Sequence, residues 1–452
     1  MGSSWGTRTA VSAAALAFLC LSAKDAEASP EDLFGYGART SGMGATGAAH
    51  ALGYETAFHN PALASGIRAN KLTLGYIGGV FRLDADGPGL PGRVSGPPMR
   101  GTIIGAELPL PFGGALRDRV GISLGFYEPI DVVVRGRVLY PEKTQFPILP
   151  DRAQSVTIRG GVGTDIGYGV KLGVGFAALA EIAGKVVAAT DATGRVGTQV
   201  ETQLVATYAP QLGVTYDLPL SGKGFSRPEI WRVGVTWRGT LDARFAVTID
   251  GTKLSSLQIP LLNIAGSAQY DPAQTVIEIA RIESMNVLAL QGVYKKWSSF
   301  PGILEPTVQC SEPPCGLTPP RVEWKDTFAI RAGADQGFTL KKGAVMHARG
   351  GAFYETSPLP DTLTSSEAFS QAKRGIENVP TRYFDADRIA VTIGTGLALE
   401  KPLPPIDVDF YFQHHFLLPR TITSKGPAGE TLSEGEASGG ITAFGMTAGV
   451  RF

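Results

Sequence analysis

Apolar and polar residues alternate with a period of two along most of this chain. In Ile441–Phe452 the even positions are Thr442, Phe444, Met446, Ala448, Val450 and Phe452, and the odd ones are Ile441, Ala443, Gly445, Thr447, Gly449 and Arg451. Such alternation puts one set on each face of a β-strand. Ile406, Val408, Phe410, Phe412 and Phe416 alternate in the same way with Asp407, Asp409, Tyr411, Gln413 and His415. Further segments set Trp231, Val233, Val235 and Trp237 against Arg232, Thr236 and Arg238, and Leu288, Leu290 and Tyr294 against Gln291 and Lys295. Phe328 and Ile330 oppose Arg331 and Asp335. Met346, Ala348, Ala352 and Tyr354 oppose His347, Arg349, Phe353 and Glu355. Ile389, Val391 and Ile393 oppose Arg388 and Thr392, while Leu72, Leu74, Tyr76 and Val80 oppose Lys71, Thr73, Ile77 and Phe81.

Soluble sandwiches also alternate. Here the apolar faces recur along most of the chain while the opposite faces carry Arg and Asp, and no soluble core of ordinary size would take them all. Trp and Tyr fall near segment ends, as in an interfacial girdle. The pattern therefore predicts an all-β fold, a transmembrane antiparallel β-barrel. Short connections are expected at Pro111–Arg119, Thr164–Tyr168, Leu218–Arg227, Ile282–Asn286, Gln336–Lys342 and Glu400–Pro405. Long ones are expected at Asp84–Met99, Gly136–Asp151, within Ala243–Asp271, and at Ser298–Arg321, Pro358–Tyr383 and Pro419–Ser438. At roughly 27 residues per strand and connection, positions 69–452 hold about 14 strands. Leu257–Asp271 fits either a loop dipping over the lumen or a strand interrupted by Pro260.

The first residues change this picture. Arg8, the apolar run Val11–Leu21 and Ala26-Glu27-Ala28 form a cleavable signal pattern over residues 1–28. Leu19 is too bulky for lipoprotein processing at Cys20. No later apolar run is long enough for a membrane helix. Residues 29–68 then read as a Gly/Ala-rich plug, and 69–452 as the barrel wall. Gly is abundant, 58 of 452 residues, which favours strands and close backbone packing over helices. Equal counts of basic and acidic side chains, 41 each, argue against nucleic acid as a partner. Cys310 and Cys315 in the Pro-rich stretch CSEPPC read as a small loop disulfide in an exported chain, since no further metal ligands stand nearby.

The plug stretch carries a family resemblance. Gly35-x-Gly37-Ala38-Arg39, Gly42-Met43-Gly44-Ala45, Glu55-x-Ala57 and Asn60-Pro61-Ala62 resemble the N-terminal hatch of the FadL/TodX-type outer-membrane transport proteins. Tyr294-Lys295-Lys296-Trp297-Ser298, Trp324-Lys325-Asp326-Thr327, Ser357-Pro358 and Asp385-Ala386-Asp387-Arg388 follow in the family's order. Terminal Phe452 resembles the signal read by the outer-membrane barrel assembly machinery. The resemblance implies a 14-stranded barrel with a lumenal hatch, a monomer among outer-membrane lipids. It also implies passive transport of long-chain fatty acids or similar lipophiles without a cofactor. It further implies lateral release through a gap at an inward kink of the third strand, here Val120–Val134 with Gly125 and Pro129 as interruptions; Pro129 equally fits a plain strand end.

Candidate chemistry is confined to binding. Lumen-facing Arg232, Arg238, Lys295, Arg331, Arg349 and Arg388 could hold a ligand carboxylate, or pair with inward Asp335, Glu355, Asp407 and Asp409 as a fixed network. Phe81, Phe353 and Tyr411 are the apolar ligand contacts expected beside them. No G-x-S-x-G or metal spacing is present, and His414 and His415 face opposite sides of one strand, so an enzyme is not expected. The remaining alternative is a general porin or structural barrel.

Overall fold

A computed structural model describes residues 30–96, 98–130, 141–150, 156–190, 196–218, 229–253, 261–302, 304–309, 322–341, 343–370, 375–400 and 404–452. The expected signal peptide, and Cys310 and Cys315 of the expected disulfide, lie outside the described residues. Fourteen strands close into one antiparallel ring. They are β1 (Lys71–Asp86), β2 (Met99–Pro109), β3 (Val120–Pro129), β4 (Thr157–Gly167), β5 (Val170–Thr190), β6 (Val196–Leu218) and β7 (Glu229–Arg238). The rest are β8 (Gln274–Glu283), β9 (Asn286–Lys295), β10 (Thr327–Lys341), β11 (Ala344–Glu355), β12 (Arg388–Leu399), β13 (Ile406–Lys425) and β14 (Thr431–Arg451). Each pairs with the next in chain order, and β14 returns to β1 from Lys71↔Arg451 to Asp86↔Glu436. Closure removes the free edges that an open sheet would leave unpaired in lipid.

Alternation decides the two faces. On β14, Ile441, Ala443 and Thr447 are buried toward the lumen while Phe444 is exposed outward. Leu74, Leu290, Ile330, Ile393 and Phe412 are exposed on the same outer surface. These side chains form an apolar belt suited to lipid. No helix of the described residues is long and apolar enough to cross a membrane. Phe452 is exposed beyond the end of β14, and its N–H donates to the Asn70 carbonyl at 3.0 Å.

One end of the ring carries short turns and the other long excursions, but two expectations change. Pro419–Ser438 is not a long loop. β13 and β14 stay paired as far as Lys425↔Thr431, with a register shift between Leu417 and Arg420 where Pro419 cannot donate to the ladder. The segment left open around Leu257–Asp271 contains a strand, Leu261–Asp271. It pairs with Leu241–Lys253 and Leu304–Gln309, outside the closed ring. Two hairpin bases at this end are fastened alike. Asp326 accepts from the Tyr294 hydroxyl at 2.5 Å and the Ser298 N–H at 2.8 Å. Asp387 accepts from the Tyr354 hydroxyl at 2.5 Å and the Ser357 N–H at 2.8 Å.

Residues from Glu31 to Ile67 run inside the ring, almost all buried, as short turns of helix: α1 (Pro30–Phe34), α2 (Ala38–Ser41) and α3 (Thr56–His59). Isolated helices this short have no stability of their own. The segment is held by the wall around it.

Candidate functional site: the plugged lumen

Small residues on both partners allow the plug backbone to touch the wall. The 3₁₀ turn Pro61–Gly66 lies against β3, β4, β5 and β6, where Gly121, Gly163, Gly173 and Gly213 face it. A Cβ on Gly213 would fall 2.8 Å from Pro61 Cδ, and one on Gly163 would fall 2.7 Å from the Ser65 nitrogen. Across the lumen, Gly333 and Gly351 face Met43 and Gly44 in the same way, a Cβ on Gly333 meeting Thr46 Oγ1 at 2.7 Å. Gly44 also takes φ +68°, a backbone conformation that favours glycine.

Polar wall side chains then fasten the buried plug backbone, whose groups have no water to turn to. Asn60 acts from the plug side. Its Oδ1 accepts from the Ala62 N–H at 3.0 Å, capping the turn, and its Nδ2 donates to the carbonyls of Ala48 at 2.7 Å and Val214 at 3.2 Å. Pro61 occupies the first position of the turn, where a missing N–H costs nothing. From the wall, Thr236 donates to the His59 carbonyl at 2.8 Å, and Gln211 and Arg238 both donate to the Phe58 carbonyl at 2.8 Å. Gln413 donates to the carbonyls of Phe34 and Ser41 at 2.9 and 2.7 Å. Thr392 accepts from the Gly44 N–H at 2.8 Å and donates to the Gly42 carbonyl at 3.0 Å. Glu278 accepts from Gly47, Ala48 and Ala49.

All six candidate cations face inward, and each has a partner. Lys295 bridges Asp32 at 3.0 Å and Glu355 at 2.7 Å, and Arg388 reaches Glu355 at 3.0 Å. Arg331 donates to the Ala45 carbonyl at 3.1 Å and lies 5.3 Å from the Phe353 ring centre. Arg238 lies over Phe58, at 4.1 Å. Arg349 joins Asp335 at 3.1 Å and Asp409 at 2.5 Å, and Arg232 pairs with Asp217. The arrangement is a network tying plug to wall. Phe81 packs beside Phe34 at 6.4 Å, and Tyr411 is buried behind Gly445.

The plug lies between two unlike regions of the lumen. Toward the long-loop end a continuous apolar cluster runs through Phe34, Phe81, Leu83, Met99, Tyr127, Phe146, Leu149, Phe384 and Ile441. At the short-turn end lies a cavity of about 600 Å³ whose lining mixes charged groups, among them Arg39, Glu55, Lys71, Asp407 and Asp409, with apolar ones such as Leu52, Leu63, Ile67, Met285 and Leu397. Lys71 and Arg451 both bind Asp407, at 2.8 and 2.9 Å. Within the plug, burial pushes Glu55 up to about 7 against the opposing pull of Arg39, and pushes His50 down to about 3. The first region is close-packed apolar side chains, and the second is an open cavity of mixed polar and apolar character.

The third strand does not break at Gly125. That residue pairs with Gly105 on β2 and Arg159 on β4, and the ladder continues on both sides. The Tyr36 side chain fills the space beside it, so a Cβ there would fall 2.8 Å from Tyr36 Cζ. Pro129 is the last residue of β3 and pairs with Gly101. On the β4 side the register runs through Gly125↔Arg159 to Tyr127↔Thr157. Sequence reasoning missed Glu278 and the wall glycines. An inward Glu between Ile277 and Ile279 was the available signal for the first.

No known protein-family model and no curated protein matches the chain. Solved structures do. A Pseudomonas aeruginosa FadL homologue superposes with a TM-score of 0.58 at 14% identity, covering 92% of this chain and 98% of that one. The Pseudomonas putida toluene transporter TodX gives 0.53 at 13% identity, covering 93% and 99%. At such identity the likeness establishes a common fold.

Proposed function

We propose that this chain, which shares the fold of FadL- and TodX-type barrels, moves hydrophobic compounds passively across a bacterial outer membrane. Long-chain fatty acids or lipophiles of similar character are the substrate class. One observation carries the reading: a plug hydrogen-bonded to the wall fills the lumen, with a large apolar cluster on its long-loop side. Such a lumen favours a greasy molecule at the long-loop end and denies polar solutes a continuous path. The plug fills the direct path down the lumen, so this reading includes release sideways through the wall. The seam between β3 and β4 beside Pro129 is the place proposed for it.

Purified protein in liposomes tests the reading. Labelled oleate should enter faster than into protein-free vesicles, while sugars should cause no swelling. Sugar-driven swelling without oleate uptake would instead make the chain a porin. A cross-link between Glu128→Cys and Val156→Cys should slow oleate release, and reduction should restore it. Unchanged release in the cross-linked barrel would remove the seam from the mechanism.

A further inference from the structure

The plug presents three consecutive backbone N–H groups to a single wall side chain. Gly47 and Ala48 donate to Glu278 Oε2 at 2.7 and 2.9 Å, and Ala49 donates to Oε1 at 3.0 Å. Successive N–H groups turned to one anion form a concavity for negative charge. Two carboxyl oxygens together take all three N–H groups. Glu278 is fully buried in the middle of β8, opposite Gly234 and Gln291. Gly234 leaves the room: a Cβ there would fall 2.9 Å from Ala49 Cα and closer still to the Ala48 carbonyl.

Ala48 is held twice. Its N–H goes to Glu278, and its carbonyl accepts from Asn60 Nδ2 at 2.7 Å. The segment Gly47–Ala49 thereby links the wall carboxylate to the Asn60-Pro61-Ala62 turn. Other wall groups, including Gln211, Thr236, Arg238, Arg331 and Gln413, grip plug carbonyls. Glu278 grips N–H groups, and a buried N–H left without a partner is rarer in proteins than a carbonyl in that state. His50 Nε2 stands 3.5 Å from Glu278 Oε1, and the His50 carbonyl accepts from Arg39, whose side chain reaches Asp335 at 3.4 Å. His50 and Arg39 both line the short-turn cavity, so the anchor adjoins the water-facing side of the plug.

We infer that Glu278 is the positioning residue that holds the plug in its closed seat. Segment 47–49 depends on it directly, and the Asn60 turn depends on it through Ala48. The physiological sense of this role rests on the transport reading above; the physical claim does not.

Full-length Glu278→Ala and Glu278→Gln barrels, assembled in membranes and purified, test it by hydrogen exchange and by ion conductance in planar bilayers. In Glu278→Ala, exchange over residues 43–62 should speed up about tenfold or more, the equivalent of one lost buried hydrogen bond. Ion-conducting events should appear, while residues 406–451 keep their protection. Glu278→Gln, which keeps one acceptor oxygen and replaces the other with an NH2 group, should fall between the wild type and Ala. If Glu278→Ala does not assemble, Glu278→Gln carries both readouts. Plug exchange and conductance equal to wild type in an assembled variant would overturn the inference. Equal loss of protection in plug and barrel would also overturn it, because the residue would then hold the wall. A plug that loosens in a protein taking up no hydrophobic compound leaves Glu278 in this role and removes the transport reading.

Discussion

A single methyl group at position 173 should unseat the Asn60-Pro61-Ala62 turn. Gly173 pairs with Gly163 on β4 and Gly213 on β6, so three glycines in one row face the turn. The wall has little freedom to give way, because each member is hydrogen-bonded in a closed ladder. A Cβ on residue 173 would fall 2.6 Å from Ala62 Cα, and closer still to the Ala62 nitrogen and the Pro61 carbonyl carbon. Ordinary carbon–carbon contact begins near ~3.5 Å, so the turn must retreat by roughly 1 Å. Forced overpacking of this kind costs about 1–3 kcal/mol. That multiplies the unseated population by about 5–150. Gly173→Ala in planar bilayers should therefore conduct ions far more often than wild type. Gly292→Ala is the control, since nothing lies within 4 Å of its Cβ position. Both variants should keep the compact, heat-sensitive gel mobility of an assembled barrel. An assembled Gly173→Ala barrel as tight as wild type, or a Gly292→Ala barrel that leaks equally, would refute the close-packed seat.

Three further perturbations probe the same assembly. Asn60→Ala removes the cap on Ala62 and the bond to the Ala48 carbonyl; a loss of about 1–2 kcal/mol in plug retention should show as faster hydrogen exchange over residues 60–66, and unchanged exchange would argue that the turn is held by shape alone. Lys295→Met breaks the buried links to Asp32 and Glu355, and removing one partner of a buried pair typically costs about 3–5 kcal/mol; thermal stability should fall and partly recover in the Lys295→Met/Asp32→Asn double variant, whereas additive losses would count against the pairing. Glu55 is raised above its ordinary 4.5 to about 7, first by burial, so the seated plug prefers the neutral carboxyl and its contribution declines as pH rises between those values. Leak of the wild type relative to Glu55→Gln should therefore grow from pH 4 to pH 8, with Arg39, Arg349 and Asp409 as the charged neighbours, and a ratio independent of pH would reject the assignment.

Much of the wall is legible in the chain because a strand in a closed barrel has only two faces. Phe444, Phe412, Ile330 and Ile393 read as outward from their period alone, and they are exposed. Arg331, Arg349, Arg388 and Lys295 read as inward by the same rule, and they are buried. Glycine count and the Asn60-Pro61-Ala62 turn pointed to a plug. The extension of β13 and β14 was not readable, because Pro, Gly and acidic residues between Pro419 and Ser438 look like a loop until a partner strand satisfies them.

What the sequence determines by itself is therefore facing and approximate strand number, since both follow from local alternation and length. What only the tertiary structure decides is which inward groups meet. Barrel closure sets the register that brings Glu278 under the N–H groups of residues 47–49, some 230 positions away in the chain. It also stacks Gly163, Gly173 and Gly213 beneath one turn, and carries the β3 ladder unbroken through Gly125, which sequence alone reads as an interruption. A period of two records the side of the wall on which a residue stands; its height and its partner come from the pairing of all fourteen strands at once.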